Sequence, residues 1–167
     1  PYGRQWIDEA DIQAVAEVMR SSHLTTGPKV NEFESAFSKT VSSQYSVAFS
    51  SGTAALHGAM AAAGIQPGDE VLVPTFSFLA TANAVVFLGA TPVFVDSEKD
   101  GFNIDLEDAK KKLTTRTKAI VPVHFAGFPV DLDEIHQFAK TNNLLVIEDA
   151  AHALGAKYKG QPIGAFS

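Results

Sequence analysis

The spacing of apolar residues along the chain alternates between the period of an amphipathic helix and the continuous runs of a buried strand. Near the start, Ile7, Ile12, Val15 and Val18 recur at helical spacing, and Asp8 stands where an N-cap is expected. Further helices are predicted where apolar and alanine-rich stretches keep this period, at residues 30–41, 50–64, 77–89, 105–113 and 131–142.

Short runs of apolar, strand-forming residues separate the predicted helices. They occupy residues 45–50, 70–76, 91–96, 118–125 and 144–149. In the last run, Leu144 to Ile147 are apolar without a break, which predicts a strand buried on both faces. Strands that alternate with helices of about ten residues are typical of βαβ units on a mostly parallel sheet. The chain is therefore predicted to be a single α/β domain over residues 1–167.

Composition narrows the class of protein. Of the 167 residues, 46% are apolar and 19% are charged, as in globular proteins, and the net charge of −6 argues against nucleic acid or an anionic membrane as the main partner. No apolar stretch approaches the ~20 residues of a membrane span, and the first residues lack the basic-then-apolar order of a signal peptide. The chain has no cysteine, which fits a reducing compartment. These features predict a soluble cytoplasmic protein.

Polar residues follow several of the predicted strands. In an open parallel sheet, ligands bind beyond the carboxyl ends of the strands, so residues from separate strands are expected at one edge. The residues expected there are Ser50–Thr53, Thr75–Phe78, Asp96, His124 and Asp149–His152. This convergence predicts a functional site.

A phosphate site is one interpretation of the stretch SSGTAAL, residues 50–56. Gly52 lets the backbone approach a ligand closely, Thr53 supplies a hydroxyl, and the start of the following helix presents free N–H groups. The stretch lacks the lysine of a P-loop and the three glycines of a dinucleotide fingerprint. The other interpretation is that these hydroxyl residues only cap the helix.

Two phenylalanines lie at the end of the strand predicted at residues 70–76 and just beyond it. Phe76 is predicted to be a core residue. Phe78 lies at the start of the next helix, where an exposed ring could stack on a planar cofactor, and a place in the core is the alternative.

The acidic pair Glu148 and Asp149 ends the last predicted strand. A carboxylate at a buried strand end is unfavourable without a cation or several donors, and the protonated nitrogen of a pyridine ring would suit Asp149. Side chains alternate along a strand, so Glu148 is expected to point away from Asp149. His152 could lie over such a ring or orient Asp149, or be an ordinary loop histidine.

His124 follows a neighbouring strand and is expected at the same edge, either near a ligand or as a structural histidine. Together with His152 and Asp149 it would suggest a metal ion. Because the spacings match no familiar metal motif, no metal is predicted.

Five stretches carry a family resemblance: SSGTAALHGAM, PTFSFLATANAV, GATPVFVD, IVPVHFAG and VIEDAAHALGAKYKG. In this order they resemble the motifs of the DegT/DnrJ/EryC1/StrS family, the sugar-nucleotide aminotransferases of the fold-type-I pyridoxal-phosphate class. The resemblance runs from Pro1 to Ser167. It implies the N-terminal part of the family's large three-layer α/β/α domain, with pyridoxal 5'-phosphate as the cofactor.

The resemblance also implies a role for individual residues. Those expected at the cofactor are Gly52, Thr53, Ala54, Phe78, Asp149 and His152. The first three would hold the phosphate. Phe78 would stack on the pyridine ring, Asp149 would pair with the ring nitrogen, and His152 would pack near the cofactor. Tyr2, Arg4 and His124 match regions of the sugar-nucleotide pocket, which is shaped partly across a dimer interface.

The substrate implied is a UDP-linked 4-keto-6-deoxy amino sugar, as in the synthesis of pseudaminic acid and surface polysaccharides. The stretches PYGRQWIDEADI, LTTGPKV and DAAHALGAKYKG carry this part of the resemblance. Glutamate would donate the amino group through pyridoxamine phosphate in a ping-pong reaction, and the enzyme would be a homodimer.

The lysine that binds the cofactor in this family is expected beyond Ser167, so no catalytic residue is assigned within the chain. Lys118, Lys157 and Lys159 occur in other contexts and are predicted to be surface residues. We therefore expect a fragment without the small C-terminal domain, inactive in its 167-residue form. Two alternatives stay open: a dehydratase of the same family, with histidine in place of that lysine, or a truncated non-catalytic domain that binds a cofactor or a partner.

Overall fold

The computed structural model of the chain describes residues 4–166, so the predicted substrate contact Tyr2 lies outside the described residues. The helices are α1 (Glu9–Arg20), α2 (Pro28–Val41), α3 (Gly52–Ala62), α4 (Leu79–Phe87), α5 (Leu106–Lys111) and α6 (Leu132–Asn142). The strands are β1 (Glu70–Pro74), β2 (Thr91–Val95), β3 (Thr117–Ile120), β4 (Leu145–Val146), β5 (Lys157–Tyr158) and β6 (Gln161–Pro162). The predicted helices are all confirmed.

The N-cap predicted from sequence, Asp8, explains where α1 begins. The Asp8 side chain accepts hydrogen bonds from the backbone N–H groups of Ala10, at 2.9 Å, and of Asp11, at 3.1 Å. The Asp11 carboxylate accepts in return from the Asp8 N–H, which completes a capping box. The predicted N-cap is confirmed.

Four parallel strands form the main sheet, in the order β2-β1-β3-β4, and β5 and β6 form a separate antiparallel pair. All five residues of β1 are buried, because this strand lies inside the sheet and helices cover both of its faces. The parallel arrangement follows from the helix-containing connections between successive strands.

Two apolar cores lie on opposite faces of the sheet. Val71 and Val73 of β1 pack in one core with residues of α3 and α4, while Leu72 packs in the other with residues of α5 and α6. This division follows from the alternation of side chains along a strand. The predicted three-layer α/β/α fold is confirmed.

Two predicted strands differ from the structure. Residues 45–49 form no strand, and Tyr45 and Val47 are 78% and 71% exposed. The last run is a strand only at Leu145–Val146, and Leu145 is 48% exposed, so the prediction of a strand buried on both faces is wrong. The reason is pairing: within residues 4–166, the first run has no partner strand and β4 lies at the sheet edge.

The apolar residues of α1 form the predicted stripe, but the stripe is exposed to solvent. Ile12, Val15 and Met19 are 54%, 61% and 71% exposed, and α1 has no buried residue.

Within residues 4–166, no helix combines the length and apolar character needed to cross a membrane.

Candidate functional site

A cavity of about 200 Å³ lies at the carboxyl ends of β1 and β3, where the sequence predicts convergence. Its walls are Gly52, Thr53, Leu56, Ser77, Phe78, Ala80, Val123, His124, Phe125, Asp149, Ala151 and His152. The structure thus brings together most of the residues singled out from sequence. Ala54, Arg4 and Asp96 do not line this cavity, and the Asp96 carboxylate instead accepts a hydrogen bond from the Ser97 N–H at 2.9 Å.

The N-terminus of α3 forms one wall of the cavity. Ser51 caps the helix, and its hydroxyl oxygen accepts from the Ala54 N–H at 3.1 Å. Among residues 4–166, the N–H groups of Gly52 and Thr53 meet no acceptor, and a Cβ built on Gly52 would find no atom within 4 Å. The helix start therefore offers two free donors beside open space, an arrangement that suits a phosphate group.

Asp149 is held rigidly by its backbone. It forms a parallel bridge with Val123, its N–H donates to the Pro122 carbonyl at 2.9 Å, and its carbonyl accepts from the His124 N–H at 3.1 Å. The residue is only 7% exposed. Pairing with the segment after β3 thus fixes the direction in which its side chain points.

The Asp149 carboxylate has hydrogen-bond donors but no cation among residues 4–166. Oδ2 accepts from the Thr81 hydroxyl at 2.6 Å, and Oδ1 accepts from the Ala151 N–H at 3.3 Å. Burying a charge with so few partners is unfavourable, and a protonated ring nitrogen in the cavity would supply the missing positive charge. The residues present therefore fit a phosphorylated pyridine cofactor.

Glu148 points away from Asp149, as predicted, and contacts His124 instead. His124 is fully buried, and its Nε2 lies 2.8 Å from Glu148 Oε2. Its Nδ1 accepts from the Val130 N–H at 3.2 Å, so we assign the ring hydrogen to Nε2, which donates to the carboxylate. Both ring nitrogens are thus engaged within the protein, and a direct contact of His124 with substrate stays a prediction.

The aromatic residues at this edge form a cluster. Phe76 is 40% exposed, so the prediction that it is a core residue is wrong. Its ring stacks on Phe102 at 5.0 Å between centroids and meets the edge of Phe125 at 4.6 Å, because the chain leaves the sheet after β1. His152 packs against Phe125 at 6.0 Å. Phe78 lines the cavity and is 75% exposed.

Lysines lie elsewhere in the described part of the chain. No lysine lines the cavity, and Lys118, Lys157 and Lys159 are exposed, as predicted. Lys159 forms an ion pair with Asp133. Within residues 4–166 no group of three His, Cys, Asp or Glu residues is placed to hold a metal ion.

Sequence reasoning missed Thr81, and it expected Ser77 at this edge, within Thr75–Phe78, without giving it a role. Thr81 is 1% exposed and binds Asp149, and Ser77 lines the cavity and contacts Thr81. The available signal was a pair of hydroxyl residues four positions apart, one just before the N-cap of the largely apolar helix α4 and one in its first turn.

Known relatives resemble this chain over nearly its whole length. The family model for the DegT/DnrJ/EryC1/StrS aminotransferases matches residues 5–167. The chain is 47% identical over 164 residues to the UDP-4-amino-4-deoxy-L-arabinose–oxoglutarate aminotransferase of Shewanella sediminis, an alignment that covers 98% of the chain and 42% of that enzyme.

Solved structures of aminotransferases are also similar to this chain over nearly its whole length. The pyridoxal-phosphate form of the putative sugar aminotransferase Spr1654 of Streptococcus pneumoniae is 36% identical, with a TM-score of 0.92 over 96% of the chain and 45% of its own length. PseC of Helicobacter pylori, an aminotransferase of pseudaminic acid biosynthesis, is 32% identical, with a TM-score of 0.90 over 98% of the chain and 44% of its own length.

The chain spans about two fifths of the length of these relatives. Over that span the family model and the three-layer fold agree with the resemblance read from sequence. The family match covers residues 5–167, well over half of the chain. The chain therefore belongs to the DegT/DnrJ/EryC1/StrS aminotransferase family.

Proposed function

We propose that the protein containing this chain is a pyridoxal-phosphate-dependent aminotransferase that transfers an amino group to a 4-keto sugar linked to UDP. The observation that carries the proposal is the buried Asp149 carboxylate, which lines the same cavity as the free N–H groups at the start of α3. One end of the cavity suits a pyridinium nitrogen and another suits a phosphate.

The residues of the chain have separate tasks in this proposal. The N–H groups of Gly52 and Thr53 hold the cofactor phosphate, aided by the positive end of the α3 dipole. Ala54 contributes mainly by closing the cap, because its N–H already donates to Ser51. The exposed ring of Phe78 stacks on the pyridine ring.

Asp149 keeps the ring nitrogen protonated. When bound, pyridoxal phosphate supplies an electron sink that stabilises negative charge next to the transferred amino group. His152, whose side chain is exposed at the cavity, packs beside the cofactor. The lysine that binds the cofactor covalently is proposed to lie outside this chain, since no lysine lines the cavity among residues 4–166.

The substrate class rests on the relatives. The Shewanella sediminis enzyme is named for a UDP-linked 4-amino sugar and for oxoglutarate, which supports a nucleotide sugar as the acceptor and glutamate as the donor. The resemblance to PseC supports a sugar of the pseudaminic acid type. Arg4, Tyr2 and His124 are proposed to shape the sugar-nucleotide pocket.

A cytoplasmic homodimer is part of the same proposal. The exposed stripe of Ile12, Val15 and Met19 on α1 supports a covering partner, because clustered apolar side chains of this kind are seldom left in water. The lack of cysteine supports a reducing compartment.

The test compares two isosteric substitutions in the cofactor-free, full-length protein. Asp149→Asn is expected to weaken the binding of pyridoxamine phosphate by about 10- to 100-fold, the value of a hydrogen bond to a charged group. Glu148→Gln is the matched control and is expected to leave affinity within about threefold, because the amide oxygen still accepts from His124. Absorbance titration measures both constants.

Equal losses in the two variants would contradict the assignment of Asp149 to the ring nitrogen. Activity is tested separately, by following oxoglutarate formed from glutamate in the presence of a UDP-linked 4-keto sugar. Failure to form oxoglutarate with normal cofactor binding would reject the proposed substrate and keep the cofactor site.

A further inference from the structure

A chain of two hydroxyl groups leads to the Asp149 carboxylate from α4. Thr81 Oγ1 lies 2.6 Å from Asp149 Oδ2, and Ser77 Oγ lies 2.6 Å from Thr81 Oγ1. Thr81 is 1% exposed and Asp149 is 7% exposed, so water does not screen the contact. Neither hydroxyl has a task in the proposed function.

The local structure explains why the two hydroxyls meet. Phe78 is the N-cap of α4 and provides no side-chain hydrogen bond to the helix. Ser77 precedes the N-cap and Thr81 lies in the first turn of α4, and the extended backbone of Phe78 brings the Ser77 hydroxyl to that of Thr81. A threonine within a helix often donates to the carbonyl one turn earlier, but Thr81 instead donates to a carboxylate 68 positions away.

The direction of each hydrogen bond follows from the acceptor. An ionised carboxylate can only accept, so the Thr81 hydroxyl hydrogen points at Oδ2 of Asp149. The lone pairs of Thr81 Oγ1 are then available to Ser77, whose hydroxyl donates to it. Successive hydrogen bonds of this kind polarise each other, which strengthens the bond that reaches the carboxylate.

The two oxygens of Asp149 are therefore used differently. Oδ2 has the short hydrogen bond from Thr81, while Oδ1 has only the long contact of 3.3 Å to the Ala151 N–H. Each oxygen keeps a second lone pair, and Oδ1, with the longer and weaker hydrogen bond, has the greater accepting capacity left. Rotation of the carboxylate would break the Oδ2 bond, so Thr81 fixes which oxygen is presented to the cavity.

We propose that Thr81 is a positioning residue that fixes the orientation of the Asp149 carboxylate and presents Oδ1 to the cofactor ring nitrogen, with Ser77 strengthening its hydrogen bond. This inference rests on the proposed function. A purely structural role for Thr81, as a donor that satisfies a buried carboxylate, is the competing account.

Comparing the affinities of two ligands distinguishes the positioning role of Thr81 from a purely structural role. One is pyridoxamine phosphate, and the other is its analogue in which a C–H group replaces the ring nitrogen. Only the first can use the Asp149 carboxylate as a partner of its ring. A residue that acts through Asp149 affects the affinity of the first alone, whereas a structural defect in the pocket weakens both.

The experiment measures the dissociation constants of both ligands with the cofactor-free, full-length protein. Thr81→Val keeps the shape and removes the hydroxyl, and it is expected to weaken pyridoxamine phosphate about tenfold while leaving the carbon analogue within about twofold. Thr81→Ser restores the hydroxyl and is expected to keep both constants within about twofold. Ser77→Ala is expected to weaken pyridoxamine phosphate about threefold, and it provides the test if Thr81→Val does not fold.

Unchanged affinity for pyridoxamine phosphate in Thr81→Val, or in Ser77→Ala if only that variant folds, would overturn the inference. Equal losses for the two ligands would also overturn it, in favour of the structural account. Asp149→Asn, measured in the same experiment, distinguishes failure of the Thr81 inference from failure of the proposed cofactor site. If Asp149→Asn weakens pyridoxamine phosphate and Thr81→Val does not, only this inference fails; if Asp149→Asn has no effect, the proposed cofactor site fails.

Discussion

The contact between His124 and Glu148 is expected to be one of the main supports of the segment that carries Asp149. His124 is fully buried, and the Glu148 side chain is 7% exposed. His124→Ala removes the ring that donates to Glu148 and accepts from the Val130 N–H. The substitution leaves a buried carboxylate and a buried amide without partners, and it opens a cavity.

The expected decrease in the free energy of unfolding follows from the hydrogen bonds that His124→Ala removes. An unsatisfied buried polar group costs about 1–3 kcal/mol, and more when it is charged, and breaking a buried pair by removing one partner costs about 3–5 kcal/mol. We expect His124→Ala to lower the free energy of unfolding by about 3–5 kcal/mol. His124→Gln is the matched control: its amide can still donate to Glu148, so a loss of about 1–2 kcal/mol is expected.

Urea unfolding of the cofactor-free, full-length protein, followed by circular dichroism, measures these values. Hydrogen exchange of a peptide spanning residues 144–153 localises the effect, because opening of this segment exposes the Asp149 N–H that donates to Pro122. A loss below about 1 kcal/mol in His124→Ala, or equal losses in the alanine and glutamine variants, would refute the reasoning about the buried pair.

Two further predictions concern the lysines and acid stability. Borohydride reduction of the 167-residue chain with pyridoxal phosphate is expected to give no stoichiometric adduct on a single lysine by mass spectrometry, because no lysine of residues 4–166 lines the cavity; one complete, site-specific adduct would contradict this. The pKa of Asp131 is lowered, first by the Glu134 N–H and then by the Tyr158 hydroxyl, and that of Glu70 is lowered by the Thr114 hydroxyl and by Arg116. The unfolded chain then binds more protons, so the stability from these contacts is present at neutral pH and is lost as pH falls below about 4. Between pH 6 and 3, the melting temperature of Asp131→Asn is expected to fall less than that of the native chain. An equal fall in both proteins would contradict the contribution assigned to Asp131.

Much of the fold was predictable from sequence because it depends on local order. The helical period of α1 to α6 and the capping box at Asp8 involve residues within one or two turns. The opposite directions of Glu148 and Asp149 follow from the alternation of side chains along an extended backbone. The family resemblance likewise depends on short motifs in a fixed order.

The predictions that were wrong concern partners distant in sequence. Residues 45–49 and Leu145 have strand-like composition, but a strand is formed and buried only by its neighbours. Phe76 has the composition of a core residue, but the direction of the chain after β1 turns its ring toward Phe102 and Phe125.

The sequence by itself determined the order of the six helices and of the four strands of the main sheet, the edge at which polar residues gather and the family. Only the tertiary structure decided which of those residues touch. Thr81 meets Asp149 across 68 positions, and His124 meets Glu148 across 24. Such contacts depend on strand order and helix packing, which bring distant residues within hydrogen-bond range and exclude the water that would otherwise take their place.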